Sequence, residues 1–155
     1  MASKPTQITH VSALVVTIVR AQDLWGDQTT ATDGYVKVFD KHNIQIGRTD
    51  TIMNNNSPYW ERTFDLGDVV VAENDKIKLE VWDEDSKWDD DLLGTCEVAI
   101  KAGQNYNFCT LNHGLLLFML TLAIFLKHII YIVTTVLCSF ILHIVLLKII
   151  FVYCK

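Results

Sequence analysis

Residues 76–91 read KIKLEVWDEDSKWDDD, an alternating strand pattern that runs directly into an acidic loop. The first part places Ile77, Leu79 and Val81 on one face, which predicts a half-buried β-strand. The second part holds six carboxylates in the nine positions 83–91. Carboxylates this close raise one another's pKa unless a cation neutralises them. The loop therefore indicates a cation site, although an isolated acidic run is also typical of a solvated turn.

A second acidic loop favours the cation site. After the first predicted strand, Asp27 and Asp33 stand six residues apart on a connection that folds back into the sheet. If both loops lie at one end of the fold, five or more carboxylates converge there. Hard oxygen ligands in this number suit Ca²⁺ better than Zn²⁺, which prefers nitrogen and sulfur.

The rest of residues 1–114 consists of short runs rich in Val, Ile, Thr and aromatic residues between Gly, Asn and Asp clusters. This pattern predicts an all-β, two-sheet antiparallel sandwich. The predicted strands cover 13–19, 35–39, 44–51, 60–65, 76–81, 94–100 and 106–111. Trp60 and Trp82 are predicted to lie in its core, because tryptophan in a sandwich is usually buried.

Charge and motif content exclude several classes of function. All eighteen acidic residues but only ten of the thirteen basic ones precede Gly114, so this part has a formal charge of −8. Nucleic acid is not expected as a partner, because phosphate binding needs a basic surface. The five histidines show no metal-ligand spacing, and no catalytic triad is visible. We therefore expect neither an enzyme nor a small-molecule substrate.

The motifs resemble those of the C2 domain, and among C2 domains those of the perforin type. The resemblance covers about residues 11–120 and implies the C2 β-sandwich fold. It rests on LWGD at 24–27, TDGYVKV at 32–38, NNSPYW at 55–60, VWDED at 81–85 and WDDDLLGTC at 88–96.

This resemblance implies calcium-dependent docking on phospholipid membranes. The implied calcium ligands are Asp27, Asp33, Asp83, Asp85 and Asp91, with Asp89 and Asp90 as possible additions.

The resemblance also implies roles for two aromatic residues and two cysteines. Trp25 and Trp88 flank the acidic loops and look like the membrane-inserting aromatics of the family, since an indole ring suits the headgroup boundary. Cys96 and Cys109 form a disulfide in perforin-like C2 domains. The alternative is a pair of reduced core thiols, which would hold in the cytosol.

The C-terminal region departs from the family. Only a polar segment of about ten residues (1–10) precedes the first strand, so the eighth strand of the sandwich must come from 115–125, which is the type II order. We expect the C2 domain to span 11–126. Residues 127–155 form a hydrophobic segment, either a membrane span at 129–147 or translated non-coding sequence at the end of a gene model.

Location and partners follow from these expectations. The chain should associate with membranes. The family is secretory or extracellular, yet residues 1–10 show no signal peptide. A rival hypothesis is a tail-anchored, calcium-regulated protein-interaction module, and the sequence identifies no protein partner.

Overall fold

The computed structural model describes residues 11–26, 30–72, 75–85 and 89–124, which contain eight β-strands. In chain order these are β1 (Val11–Gln22), β2 (Gly34–Phe39), β3 (Gln45–Arg48), β4 (Tyr59–Val70), β5 (Lys76–Asp83), β6 (Asp91–Ala99), β7 (Gly103–Leu111) and β8 (Gly114–Ile124). The described residues contain no helix. The all-β prediction is confirmed.

The strands form two four-stranded antiparallel sheets, ordered β4-β1-β8-β7 and β3-β2-β5-β6. β8 lies between β1 and β7, so that Met119 is opposite Thr17 on one side and Tyr106 on the other. The eighth strand predicted over 115–125 is therefore confirmed as Gly114–Ile124. The last strand of the domain thus lies beside the first, which is the predicted type II order.

The core lies between the sheets and is built by alternation along the strands. On β5, Ile77, Leu79 and Val81 point inward and are buried, and from the other sheet Leu116 and Phe118 of β8 face them. Burying each such side chain contributes roughly 1.5–3 kcal/mol. On β5 the polar residues between them, Lys78 and Glu80, lie on the outer face, as a period of two requires.

β4 is longer than predicted because the sequence DLGD at 65–68 looks like a turn. It is instead a β-bulge: the pairing with β1 shifts between Ala13 and Val15, and Gly67 takes a φ of +67°. A bulge inserts an unpaired residue, and glycine adopts a positive φ without steric cost. The strand therefore continues through the polar residues to Val70.

The prediction that Trp82 lies in the core is wrong. The alternation that points Val81 inward points Trp82 outward, where Lys37 Nζ lies 4.0 Å above its ring centroid and its Nε1 donates to Glu80 at 3.2 Å. Trp60, in contrast, is partly buried and packs against the core.

A disulfide joins Cys96 on β6 to Cys109 on β7, with their Cα atoms 6.2 Å apart. Each of these strands is the edge of its own sheet, and no backbone ladder connects the two sheets there. The bond therefore fastens one open side of the sandwich covalently.

Removing this disulfide should destabilise the domain substantially. Replacing both cysteines (Cys96→Ala with Cys109→Ala) opens a loop with a sequence separation of 13 residues. We expect the free energy of unfolding, measured by urea denaturation, to fall by about 3 kcal/mol. Reductant should cause the same loss in the wild type and none in the variant. Equal urea midpoints for the oxidised wild type and the variant would show that the bond does not form in solution.

Candidate functional site

The acidic residues meet at one end of the sandwich. In the second sheet Gly34 at the start of β2 is opposite Asp83 at the end of β5, and Asp83 is opposite Asp91 at the start of β6. The connections before β2 and after β5 therefore join the sheet at the same end. We call it the acidic end, after Asp33, Asp83, Asp85, Asp89, Asp90 and Asp91.

Asp83 and Asp91 form a cross-strand pair of like charges. Directly opposite residues of an antiparallel pair project from the same face. Asp83 continues the inward-facing set of β5 and is only 4% exposed, so both carboxylates belong to the inner side of the sheet where the core ends. Like charges in this arrangement are destabilising. A cation shared between them would remove the repulsion.

Asp83 also contacts the first acidic connection. Its Oδ1 accepts a hydrogen bond from the Asp33 N–H at 2.6 Å. Gly26 packs so tightly against the Asp83 carboxylate that a Cβ at position 26 would collide with it. Gly26 therefore approaches Asp83 directly, and a side chain at position 26 would fit only if the Asp83 carboxylate moved.

Asp33 is held by two further connections. Its Oδ1 accepts from the Asn54 N–H at 2.5 Å, and its carbonyl oxygen accepts from the Glu84 N–H at 2.9 Å. Asp33 thus ties the connection before β2 to those between β3 and β4 and between β5 and β6.

Glu84 is turned away from Asp83 and Asp91, toward the outer side of the sheet. Its carboxylate receives the Arg48 guanidinium at 3.1 Å. A hydrogen bond from Thr51 and the contact with Arg48 lower the pKa of Glu84 below its usual value. The expectation that crowding raises the pKa of every acid in this loop is therefore wrong for Glu84. Arg48 balances its charge on the outer side of the sheet.

Asp90 has a different environment from Asp91. Its Oδ2 accepts from the Tyr35 hydroxyl at 2.7 Å, and its Oδ1 accepts from the Asp85 N–H at 3.3 Å. Sequence reasoning did not single out Tyr35. The available signal was the alternation along β2, which points this aromatic residue to the outer face of the sheet, beside Trp82.

Asp33, Asp83 and Asp85 line an open pocket of about 480 Å³, with Met53 at its rim. Within the described ranges, no three Asp, Glu, His or Cys side chains are gathered closely enough to hold a metal ion. The donors around the pocket are nonetheless carboxylate oxygens, the ligands that Ca²⁺ prefers. The donor chemistry and the Asp83 and Asp91 pair fit calcium.

Trp25 projects at the acidic end and stacks on His113. Their ring centroids are 3.8 Å apart with an interplanar angle of 17°, and Trp25 is 51% exposed. His113 lies in the turn between β7 and β8, and its N–H donates to the Leu93 carbonyl at 3.1 Å. The sequence could not reveal this partner, because 88 positions separate the two residues.

Three predictions fall outside the described residues: Asp27 as a ligand, Trp88 as a membrane-inserting residue and 127–155 as a hydrophobic segment with a span at 129–147. Among the residues that the structure does describe, none forms a helix of the length and apolar character that a membrane crossing requires.

Comparison with known proteins gives a consistent result. Residues 12–112 match the C2 domain family. The chain is 49% identical to Perforin-1 of Homo sapiens over 108 residues, 70% of this chain and 19% of that protein. It is 42% identical to Perforin-1 of Rattus norvegicus over 109 residues, again 70% of this chain and 19% of the relative. The chain thus spans about a fifth of the length of these relatives.

Among solved structures, one described as the structure of a C2 domain is 38% identical, with a TM-score of 0.66. The match covers 73% of this chain and 99% of the chain in that structure. The fold, the acidic end and the matched residues agree, and the chain belongs to the C2 domain family.

Proposed function

We propose that this chain is a calcium-dependent, phospholipid-binding module that docks on membranes through its acidic end. The observation that carries the proposal is the pairing of Asp83 with Asp91 on the inner side of the sheet. Two carboxylates opposite each other at the open end of a core repel, and a cation bound between them would remove that repulsion. The similarity to perforins supports a membrane role.

The residues that would hold calcium are Asp33, Asp83, Asp85 and Asp91, together with Asp27. When bound, calcium neutralises these carboxylates and offers open coordination positions to lipid phosphate. Asp89 and Asp90 remain candidates for further oxygen ligands. Affinity should be on the order of 0.1–1 mM if the module works outside cells.

In the calcium-free protein, the carboxylates of the acidic end also repel anionic membranes. The part of the chain before Gly114 has a formal charge of −8, so it repels a negative lipid surface. Neutralising the acidic end removes that repulsion where the exposed Trp25 and Met53 lie. The proposal assigns no catalytic activity to the chain.

Co-sedimentation with vesicles tests this function. Residues 1–126 contain the whole sandwich and omit the hydrophobic segment, whose own affinity for lipid would obscure the result. Vesicles of phosphatidylcholine and phosphatidylserine should pellet the protein with calcium and release it with chelator. If the protein does not pellet with calcium, or pellets only when a protein partner is added, the proposal is contradicted and a protein-interaction module is favoured.

Trp25 should contribute to lipid binding but not to calcium binding. An exposed indole gains burial only when lipid arrives, so Trp25→Ala should weaken vesicle binding about tenfold. Calcium affinity in solution should stay within about twofold of the wild type. Phe108→Ala is a matched control, since Phe108 is an exposed aromatic residue on β7. If Trp25→Ala binds vesicles as well as that control, Trp25 is not a membrane-inserting residue.

A further inference from the structure

Tyr35 lies on the outer face of its sheet and yet is only 1% exposed. On β2, Val36 and Val38 are in the core, so Tyr35 projects outward beside its cross-strand neighbour Trp82. A ring on an outer face is buried only where other groups cover it. Asp90 of the β5–β6 connection meets the Tyr35 hydroxyl, and the cationic groups of Arg48 and Lys37 lie over the ring.

The Tyr35 hydroxyl fastens both ends of the connection between β5 and β6. It donates to Asp90 Oδ2 at 2.7 Å, while Asp90 Oδ1 accepts from the Asp85 N–H at 3.3 Å. One carboxylate therefore joins Asp85, the second residue after β5, to Asp90, the residue just before β6, and anchors both to β2. Burial and the bond to Asp90 raise the pKa of the Tyr35 phenol, so it remains a donor at physiological pH.

Arg48 completes the arrangement from β3. Its guanidinium lies 3.7 Å from the centroid of the Tyr35 ring and covers it. The same group donates to Thr51 at 2.7 Å and to Glu84 at 3.1 Å. Glu84 is thus held on the side of the sheet where Tyr35 and Asp90 meet.

The acids of this connection are therefore divided between two sides of the sheet. Asp83 and Asp91 pair on the inner side, whereas Glu84 and Asp90 are held on the outer side by Arg48 and Tyr35. Adjacent residues of an extended chain point to opposite faces. Holding Glu84 and Asp90 outward therefore keeps their neighbours Asp83 and Asp91 directed inward.

We infer that Tyr35 and Asp90 are positioning residues that hold residues 84–85 and 89–90, the described parts of the β5–β6 connection, in the arrangement that binds calcium, with Arg48 as their cover. The inference rests on the calcium-binding function proposed above. It assigns Asp90 to holding the connection and leaves Asp83, Asp85 and Asp91 to bind the ion. Groups that are held in place before binding lose less conformational freedom when the ligand arrives.

Tyr35→Phe removes the hydroxyl and keeps the ring under Arg48. Calcium binding is measured by titration calorimetry on the whole chain in a non-ionic detergent. We expect the dissociation constant to rise about tenfold with the number of bound ions unchanged. Tyr106→Phe is the matched control, because Tyr106 is 78% exposed on β7 and should bind calcium like the wild type.

Asp90→Asn separates positioning from direct ligation. It weakens the same connection, because an amide offers one acceptor oxygen where the carboxylate offers two, so it should weaken calcium binding to a similar degree and keep the ion count. Combining it with Tyr35→Phe should weaken binding no further than either substitution alone, since both remove one shared interaction. If Tyr35→Phe fails to fold, the ion count of Asp90→Asn alone decides the question.

Each result has a distinct meaning. Wild-type calcium affinity in Tyr35→Phe, multiplying effects in the double variant, or a lost ion in Asp90→Asn would each overturn the positioning role. Absence of calcium binding in the wild type would instead overturn the proposed function itself. A tenfold, non-additive loss with the ion count kept supports the inference.

Discussion

Replacing Asp83 and Asp85 together by asparagine (Asp83→Asn with Asp85→Asn) is expected to abolish calcium-dependent vesicle binding by residues 1–126. The same change should remove the stabilisation that calcium gives the wild type. With free calcium at about 100 times its dissociation constant, that stabilisation is about 2.7 kcal/mol, or on the order of 10 °C in melting temperature. Calorimetric melting with calcium and with chelator measures both proteins.

The fold should survive this double substitution. Asparagine keeps a carbonyl oxygen that can accept the hydrogen bond that Asp83 receives from the Asp33 N–H. Removing the Asp83 charge also relieves its repulsion with Asp91, so the calcium-free variant should melt no lower than the calcium-free wild type.

A control with the same change in net charge isolates the site. Asp68 on β4 and Glu97 on β6 are exposed strand residues toward the other end of the sandwich, opposite Ala13 and Lys78. Replacing them by asparagine and glutamine should leave the calcium response intact. Full calcium binding in the Asp83 and Asp85 variant, or equal loss in the control, would contradict the site assignment.

The strands that alternate regularly were predictable from local pattern. Ile77, Leu79 and Val81 point inward, as a period of two requires. The pairing of Asp83 with Asp91 was not predictable, because cross-strand register depends on where each strand begins. The residue pattern showed these carboxylates close along the chain, and the C2 resemblance made both of them calcium ligands, but neither gave their cross-strand register.

Contacts between distant segments could not be inferred from the sequence. Nothing local to Tyr35 indicates that its hydroxyl meets Asp90, 55 positions away. The stack of Trp25 on His113 likewise arises only because β8 brings its leading turn beside the end of β1. A turn-like composition also concealed the bulge at Gly67, where tertiary pairing with β1 overrides local preference.

A chain that ends at Asn112 is expected to lose its cooperative fold, because β8 is an interior strand of its sheet. Its removal leaves β7 without a hydrogen-bonded neighbour and exposes the inner edge of β1. It also deletes four buried side chains: Leu116, Phe118, Leu120 and Leu122. Their burial contributes roughly 6–12 kcal/mol, comparable with the whole stability of a domain.

Chains that end at Asn112 and at Leu126 are compared to test this expectation. Circular dichroism during heating measures the melt of each chain, and gel filtration measures its association state. The longer chain should melt cooperatively, whereas the shorter one should aggregate through unpaired edges and uncovered core. A change that only lowered stability would leave a cooperative melt at a lower temperature. A monomeric short chain with a melt as high as the longer one would show that Gly114–Ile124 is not part of the folded domain. In that event the apolar C-terminal residues would have to be assigned to a separate segment from their first leucine onward, and the sheet order that places β1 beside β8 would be wrong.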